Sequence, residues 1–503
     1  MKKVFATVVS VALVMGFSLM AIAGPNEDLV DASKKGDAAK AKAAIDAGAK
    51  LNELDAAGNP PLFYAVFWPE ITQMMLDKGA DPNLGNYPAL VSAANGYSIE
   101  VMKLLLAKGA DPNKPQVSIN DPAAMYKKMV EAEKAKGKAA NASLITVFEN
   151  MVKTAPAPTK NIVSPLRMVV GGTNCVACVD MLLKAGAKAD EQDPNDVSSP
   201  LYVGSLLHSL AIGGDLPETR AAGWKTGAPA MEKNYGIKIP DWLTNLQGDR
   251  IGTAEDMMKL LVAKGLNVNE ANKKGSTPLS IALYYKKSFI AKALIALGAD
   301  PKITAKVKFP KSIVEYIPIC QAAEAGDVEL MKLMLDKGCD INANGTSAAL
   351  SISNDSWGGD GYTPLNIAIM SGKPAVAAFL VDRGADINIG TNGYAIMKMQ
   401  APPQARVAGV PELECNVVLE KKTPIYWAIE NGDLSLINKI GEKMLWKYNS
   451  FYKINIKSGG KRSIDGSKEY KCTDIKSPST RPSQYADDMG KPEVGKLLMS
   501  KGL

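Results

Sequence analysis

One histidine in 503 residues removes most metal and acid–base chemistry at the outset. Zinc sites built on two or three imidazoles are out of reach. A serine–histidine–acid centre would rest on His208 alone, and the sequence predicts a surface or helix-capping place for it, at the end of a helix beside a long excursion. Aromatic residues make up 6%, and there are six cysteines. No glycine-rich phosphate loop, nucleophile elbow or paired zinc spacing occurs. The acidic turns Asp190-Glu191-Gln192-Asp193 and Asn354-Asp355 miss the spacing of a calcium-binding EF-hand loop. No cofactor is expected, and nothing argues for an enzyme. The formal charge of +7 is mild for this length and falls by two without Lys2 and Lys3. It favours solubility and gives no reason to expect nucleic acid.

Long apolar runs are also scarce: only residues 4–20 form one. Lys2-Lys3 precedes that run and Ala21-Ile22-Ala23 follows it, the pattern of a cleavable signal peptide cut after Ala23. The expected destination is the bacterial periplasm or the medium. No other stretch is long and apolar enough to suggest a membrane span. The remainder has the composition of a globular chain, with 46% hydrophobic and 22% charged residues.

What the chain has in quantity is a repeated pattern, clearest over residues 361–388. Thr363-Pro364 opens a helix: threonine caps free N–H groups, and proline tolerates the first turn. Leu365, Ala368 and Ile369 give it a narrow apolar stripe, and Gly372 breaks it. Val376, Phe379, Leu380 and Val381 line a second helix at spacings of three and four. Gly384 ends that helix, and Ala385-Asp386-Ile387-Asn388 leads into a turn. Neither stripe can be buried by one unit alone.

The pattern recurs in register. Thr277 to Gly298, Ile317 to Gly338 and Thr363 to Gly384 each span 21 positions. Further helix-ending signals stand at Gly48-Ala49-Lys50, Gly79-Ala80-Asp81, Gly109-Ala110-Asp111, Gly186-Ala187-Lys188 and Gly265-Leu266-Asn267. A period near 33 with T-P-L-x-x-A and G-A-D-x-N resembles the ankyrin-repeat family over nearly the whole chain after residue 23. The resemblance implies an all-α ankyrin-repeat solenoid of about ten helix–turn–helix units, with short β-hairpins and long insertions. It predicts repeats 1–3 over 24–113, a helical insertion over 114–161, and repeats 4–7 over 162–344, interrupted near 211–252. Repeats 8–10 follow over 345–503, with insertions near 345–360, 390–422 and 449–480. Within 114–161, residues 123–153 suit one or two amphipathic helices; 211–252 reads as irregular, and 449–480 as polar and turn-rich.

The resemblance also implies another protein as partner, bound by hairpin tips and by the two positions after the apolar stripe of each inner helix. Here these include Phe67, Trp68, Asn95, Tyr284, Tyr285, Met370 and Glu430. The aromatic pairs carry most weight, because tyrosine and tryptophan bury much area with few rotors. For Phe67 and Trp68 the alternative is that they fill the gap left by a shortened turn.

An oxidising destination turns attention to cysteine pairing. Cys320 and Cys339 are expected at helix ends that antiparallel packing brings together, open to a bridge or to two separately buried thiols, and a Cys415–Cys472 bridge would tether two excursions. Cys175 and Cys178 form a C-x-x-C at a helix start, open to a local disulfide, to buried thiols or to exchange chemistry. No thioredoxin-like strand–helix pattern surrounds the pair. Three functions stay in play: an exported binding scaffold, a periplasmic thiol-redox or stress-protection factor using Cys175 and Cys178, and a secreted effector or immunity-type inhibitor.

Overall fold

Threonine caps set the register of the helices. In the computed structural model Thr363 Oγ1 accepts from Asn366 N at 3.3 Å and starts the helix Pro364–Met370. Thr277 and Ser280 cap each other reciprocally at the start of Pro278–Tyr284, which satisfies two N–H groups that a helix end would otherwise leave bare. The structure describes residues 24–55, 58–137, 141–172, 175–189, 204–213, 217–244, 252–308, 313–345, 362–400, 412–443, 453–462, 469–471 and 481–503. They fall into two compact units, one from residues 1–189 and 215–260, the other from 190–214 and 261–503.

In the first unit four helix pairs follow one another: Pro25–Lys35 with Ala38–Asp46, Pro61–Tyr64 with Pro69–Asp77, Ala89–Asn95 with Ile99–Ala107, and Pro165–Gly172 with Val176–Lys184. The first helix of each pair, here the inner helix, packs against the inner helix of the next. Their buried leucines Leu29, Leu62, Leu90 and Leu166 form one continuous row. Met75, Leu105 and Leu182 do the same for the outer helices. Burying one leucine contributes about 1.5–3 kcal/mol, so the stack supplies what no single pair could.

A second tie runs along the turns. In several repeats the asparagine that closes the turn motif reaches into the next repeat: Asn52 Nδ2 donates to Gly79 O at 3.1 Å while its Oδ1 accepts from Asp81 N at 2.8 Å. Asn83 does likewise with Gly109 and Asp111. Asn113 bonds Gly186 O at 3.0 Å and Lys188 N at 3.0 Å, across a sequence separation of more than seventy residues. The inserted segment therefore leaves repeats three and four adjacent. These rungs are solvent-exposed, so Asn83→Ala is expected to cost only about 1 kcal/mol, read as a small shift of the urea midpoint.

That insertion is built as a stalk and a helical hairpin. Strands β1 (Gln116–Asn120) and β2 (Thr159–Val163) pair antiparallel, with Gln116 opposite Val163. Between them stand the helices Pro122–Lys134 and Ala142–Thr154. The helices match the sequence expectation; the strands at their feet do not appear in it. The region around 211–252, expected to be irregular, contains the helices Pro217–Tyr235 and Asp241–Thr244.

The second unit stacks Leu206–Gly213 on Pro278–Tyr284, then the inner helices Pro318–Ala325, Pro364–Met370, Pro424–Asn431 and Pro482–Asp488 in order. Their outer partners are Ser288–Ala296, Val328–Asp336, Pro374–Asp382, Leu434–Lys443 and Pro492–Ser500. Strands β3 (Ala305–Lys308) and β4 (Ile313–Tyr316) make a short antiparallel pair. The excursions on either side of repeat nine are not turn-rich where they are described. They supply β5 (Thr391–Gln400), β6 (Glu412–Lys422), β7 (Lys453–Arg462) and β8 (Glu469–Lys471), an antiparallel sheet in that order. β6 and β7 lie on opposite sides of repeat nine in sequence, so no local pattern announces their pairing.

Candidate functional site: the turns between inner and outer helices

Two kinds of turn recur between inner and outer helices. In repeats one, seven and nine the turn is Gly-Asp: Gly36-Asp37, Gly326-Asp327 and Gly432-Asp433. The aspartate folds back on its own helix, as Asp327 Oδ1 accepts from Leu330 N and Asp433 Oδ1 from Leu436 N. In repeats two, eight and ten the outer helix begins after Trp68-Pro69, Lys373-Pro374 and Lys491-Pro492. Where a Gly-Asp repeat precedes an X-Pro repeat, the X side chain lies on the glycine. A Cβ on Gly326 would meet the Lys373 stem at 2.6 Å, and one on Gly432 would meet Lys491 Nζ at 3.1 Å. Both glycines also have φ of 83° and 71°, a region that other residues enter at a cost.

The reverse order leaves space. Between repeats eight and nine the outer-helix cap is Asp433, too short to cross to its neighbour and already committed to Leu436 N. A cavity of about 560 Å³ opens there. Ile369, Met370, Pro374 and Leu436 give it an apolar lining, and Lys373 and Asp433 add opposite charges. Asn431 Nδ2 donates to Ile369 O and fixes one wall. The buried Oγ of Ser371 has no hydrogen-bond partner. Between repeats six and seven, where a Lys286-Lys287 turn precedes Gly-Asp, ion pairs bridge the turns instead: Lys286–Glu324 at 2.9 Å and Lys292–Asp327 at 2.9 Å.

Of the residues singled out from sequence, Met370 lines this cavity. Asn95 is exposed at the end of its inner helix. Tyr284 and Tyr285 are half-buried with rings edge to face at 5.3 Å, and Tyr284 also meets Tyr316 at 5.8 Å. Burial pushes the Tyr316 hydroxyl up to about 12. Phe67 and Trp68 are half-buried: the Trp68 ring lies over Gly36 and the Phe67 ring over Gly96, each on the turn of a neighbouring repeat. Glu430 faces inward to a cluster that sequence reasoning missed. Its carboxylate pairs with the wholly buried Lys422 at 2.5 Å and accepts from the Tyr485 hydroxyl.

The cysteines divide. Cys175 and Cys178 are joined by a disulfide, and both are fully buried. The C-x-x-C sits where the repeat register places it, at the cap and on the inner face of Val176–Lys184. Cys320 and Cys339 do not form the candidate bridge; of the two readings the sequence left open, separate thiols are the one found. The two sulfurs turn to different neighbours. Cys320 Sγ lies toward the carbonyls of Ala343 and Tyr362, and Cys339 Sγ toward that of Pro301. The Cys415 side chain and Cys472 lie outside the described residues. Among the described residues no group of three or more His, Cys, Asp or Glu is arranged to hold a metal.

His208 takes the helix-capping place that the sequence predicts, not the surface one. It stands in the first turn of Leu206–Gly213 and is buried. Ser205 N donates to Nδ1 at 3.1 Å, which leaves the ring proton on Nε2, bonded to Ser276 O at 2.9 Å. The helix begins at Leu206 instead of ending near His208, so the ring caps the start of this helix.

Comparison with known proteins agrees with this geometry. A family model for ankyrin repeats in three copies matches residues 29–116 and 310–391. The chain is 28% identical over 135 residues to alpha-latrocrustotoxin-Lt1a of Latrodectus tredecimguttatus, covering 26% of this chain and 8% of the toxin. It is 28% identical over 176 residues to the ankyrin repeat protein FPV014 of fowlpox virus (strain NVSL), covering 35% of this chain and 36% of that protein. The crystal structure of the human ASB11 ankyrin repeat domain aligns over 71% of this chain and 98% of that one, at 17% identity and a TM-score of 0.35. The curated relatives are thus matched over only part of their own length. The family model falls on both units, and capped helix pairs and asparagine rungs recur outside its matches as well, so ankyrin repeats run through both units of this chain.

Proposed function

We propose that this chain is an exported protein-binding scaffold that seats a partner's side chain in the cavity between repeats eight and nine. Ankyrin repeats indicate a scaffold for protein–protein interaction. The observation that carries the location is the cavity itself, with apolar walls and one buried hydroxyl, Ser371 Oγ, lacking a partner. An aromatic side chain with a polar tip satisfies both features, and such anchors dominate interface energetics. Lys373 and Asp433 at the walls favour a partner carrying charges of both signs nearby. A preformed cavity on packed helices keeps the ordering cost of binding low.

Export is supported by Lys2-Lys3, the apolar run and Ala21-Ile22-Ala23, and by the Cys175–Cys178 disulfide, a bond favoured by an oxidising compartment. The same bond, closed and away from solvent, offers nothing for exchange chemistry to attack. Among the described residues no helix is long and apolar enough to cross a membrane.

The test is an affinity capture from a periplasmic extract with the wild-type chain and Met370→Glu as parallel baits, quantified by mass spectrometry. Met370→Glu places a charge in the cavity, and recovery of the main partner is expected to fall at least tenfold. Equal recovery on both baits, with both proteins folded by circular dichroism, would remove the cavity from the binding surface.

A further inference from the structure

The helical hairpin of the first unit is built as two thirds of a three-helix bundle. Its helices, Pro122–Lys134 and Ala142–Thr154, pack mainly on each other. Tyr126, Val130 and Glu133 face inward on the first helix, and Ile145, Phe148 and Val152 on the second. Each helix then carries a second apolar stripe beside the first. Met125 and Met129 are four apart, and Leu144, Val147 and Met151 are spaced three and four. These five side chains remain between 40% and 51% exposed, and they make up half of the large apolar side chains found exposed among the described residues.

Both stripes lie on one side of the hairpin. The opposite side is a groove lined by Val130 and Val152 together with the charged Lys127, Glu131, Lys134, Glu149 and Lys153. Lys134 and Glu149 pair across it at 2.8 Å. The helical period sets Lys127, Glu131 and Lys134 on one flank of the inward row, and Met125 and Met129 on the other flank. On the second helix Glu149 and Lys153 share the charged flank, and Leu144, Val147 and Met151 take the other. Patches of exposed apolar side chains with a polar border mark interaction sites.

We propose that this face receives an amphipathic helix of another protein, with an apolar stripe and acidic flanks, which completes the bundle. The charge pattern selects the occupant. Helical spacing sets Lys128 beside the apolar stripe, and both exposed carboxylates of the hairpin helices, Glu131 and Glu149, lie on the far side. Glu133 is held within the hairpin by Lys136 at 2.5 Å and by Asn141 N at 3.0 Å. A second copy of this chain would set lysine against lysine. Methionine suits the role, because its flexible thioether adapts to different apolar partners. The two-stranded β1–β2 stalk holds the hairpin out with its apolar face unpartnered.

The test uses a fluorescein-labelled 20-residue peptide with leucines at spacings of three and four and glutamates on both flanks. Two controls carry lysine flanks or a scrambled order. Binding to the purified chain is followed by fluorescence anisotropy, beside Met129→Glu/Val147→Glu and beside Met370→Glu. The acidic peptide is expected to bind at least tenfold more tightly than either control. The hairpin double variant should lose at least tenfold, Met370→Glu should lose nothing, and higher salt should weaken binding. Equal binding of the lysine-flanked peptide overturns the proposal, and so does an unaffected double variant. Sedimentation of the chain with anionic vesicles, lost in the double variant while no peptide binds, would assign the face to a membrane surface and overturn it as well. Peptide binding that survives Met370→Glu separates this surface from the cavity, so either reading can fail without the other.

Discussion

Lys422→Ala is expected to destabilise the C-terminal end of the second unit by about 3–5 kcal/mol, the usual consequence of leaving one charge of a buried pair uncompensated. Lys422 closes strand β6, and its ammonium is fully buried over the Trp427 ring, 3.5 Å from its centroid. Glu430 on the inner helix of repeat nine faces it, and Tyr485 on that of repeat ten donates to the same Glu430 oxygen. Thr391 at the start of β5 accepts from Trp427 Nε1 at 3.1 Å and donates to Lys422 O at 3.1 Å. Sheet, repeat nine and repeat ten therefore meet at one group. Removing the ammonium strands Glu430, whereas Lys422→Met/Glu430→Gln removes both charges and is expected to cost far less than the single change. Hydrogen exchange over Pro424–Asn431 and Pro492–Ser500 reads the difference. Equal loss in both variants would mean that packing, not charge, holds the junction.

The same group predicts a pH dependence of definite sign. Burial lowers the Lys422 ammonium from 10.5 to about 8, and the Glu430 carboxylate opposes part of that shift. Between those values the folded chain holds fewer protons at this site than the unfolded chain, so this group's contribution to stability rises with pH from about 8 to about 10.5. Below pH 8 both states are protonated and the contribution is flat. Unfolding midpoints at pH 7.5 and pH 10, compared between wild type and the double variant, isolate the term. A larger gain on raising the pH in the double variant would contradict the assignment.

His208→Ala is expected to cost about 2–4 kcal/mol, because it opens a cavity and leaves the Ser276 carbonyl and the Ser205 N–H without the ring nitrogens that serve them. His208 is the link from Leu206–Gly213 to the turn that opens repeat six, so the loss should appear there first. His208→Gln keeps one bonding group in the space and is expected to recover part of the difference. Hydrogen exchange at Ser276 to Leu283 in both variants decides it; an unchanged pattern in His208→Ala would show that the ring is replaceable by water.

How much of this is legible in the sequence depends on the range of the contact concerned. Thr363-Pro364 and Thr277-Pro278 announce helix starts because capping is a matter of three or four residues. The Asn83 and Asn113 rungs follow from the same motif recurring, once a repeat is known to sit beside its copy. The alternation of Gly-Asp with X-Pro turns was present in Gly432-Asp433 and Lys373-Pro374, and it is the signal that could have pointed to the cavity. The capping place of His208 was legible, but not which end of a helix it caps, because its helix begins at Leu206 and a shift of a few residues exchanges the two ends.

The sequence by itself determined the repeat, its period, the ends of most helices and the place of Cys175–Cys178, because each rests on neighbours within one or two turns of chain. Tertiary structure decided the rest. β6 pairs with β7 across the whole of repeat nine, and Cys320 and Cys339 turn away from each other toward different repeats. Lys422 finds Glu430 and Tyr485 only when sheet and inner helices are assembled. Such contacts join residues whose separation along the chain carries no periodic signal, and only packing selects which of the available partners each one meets.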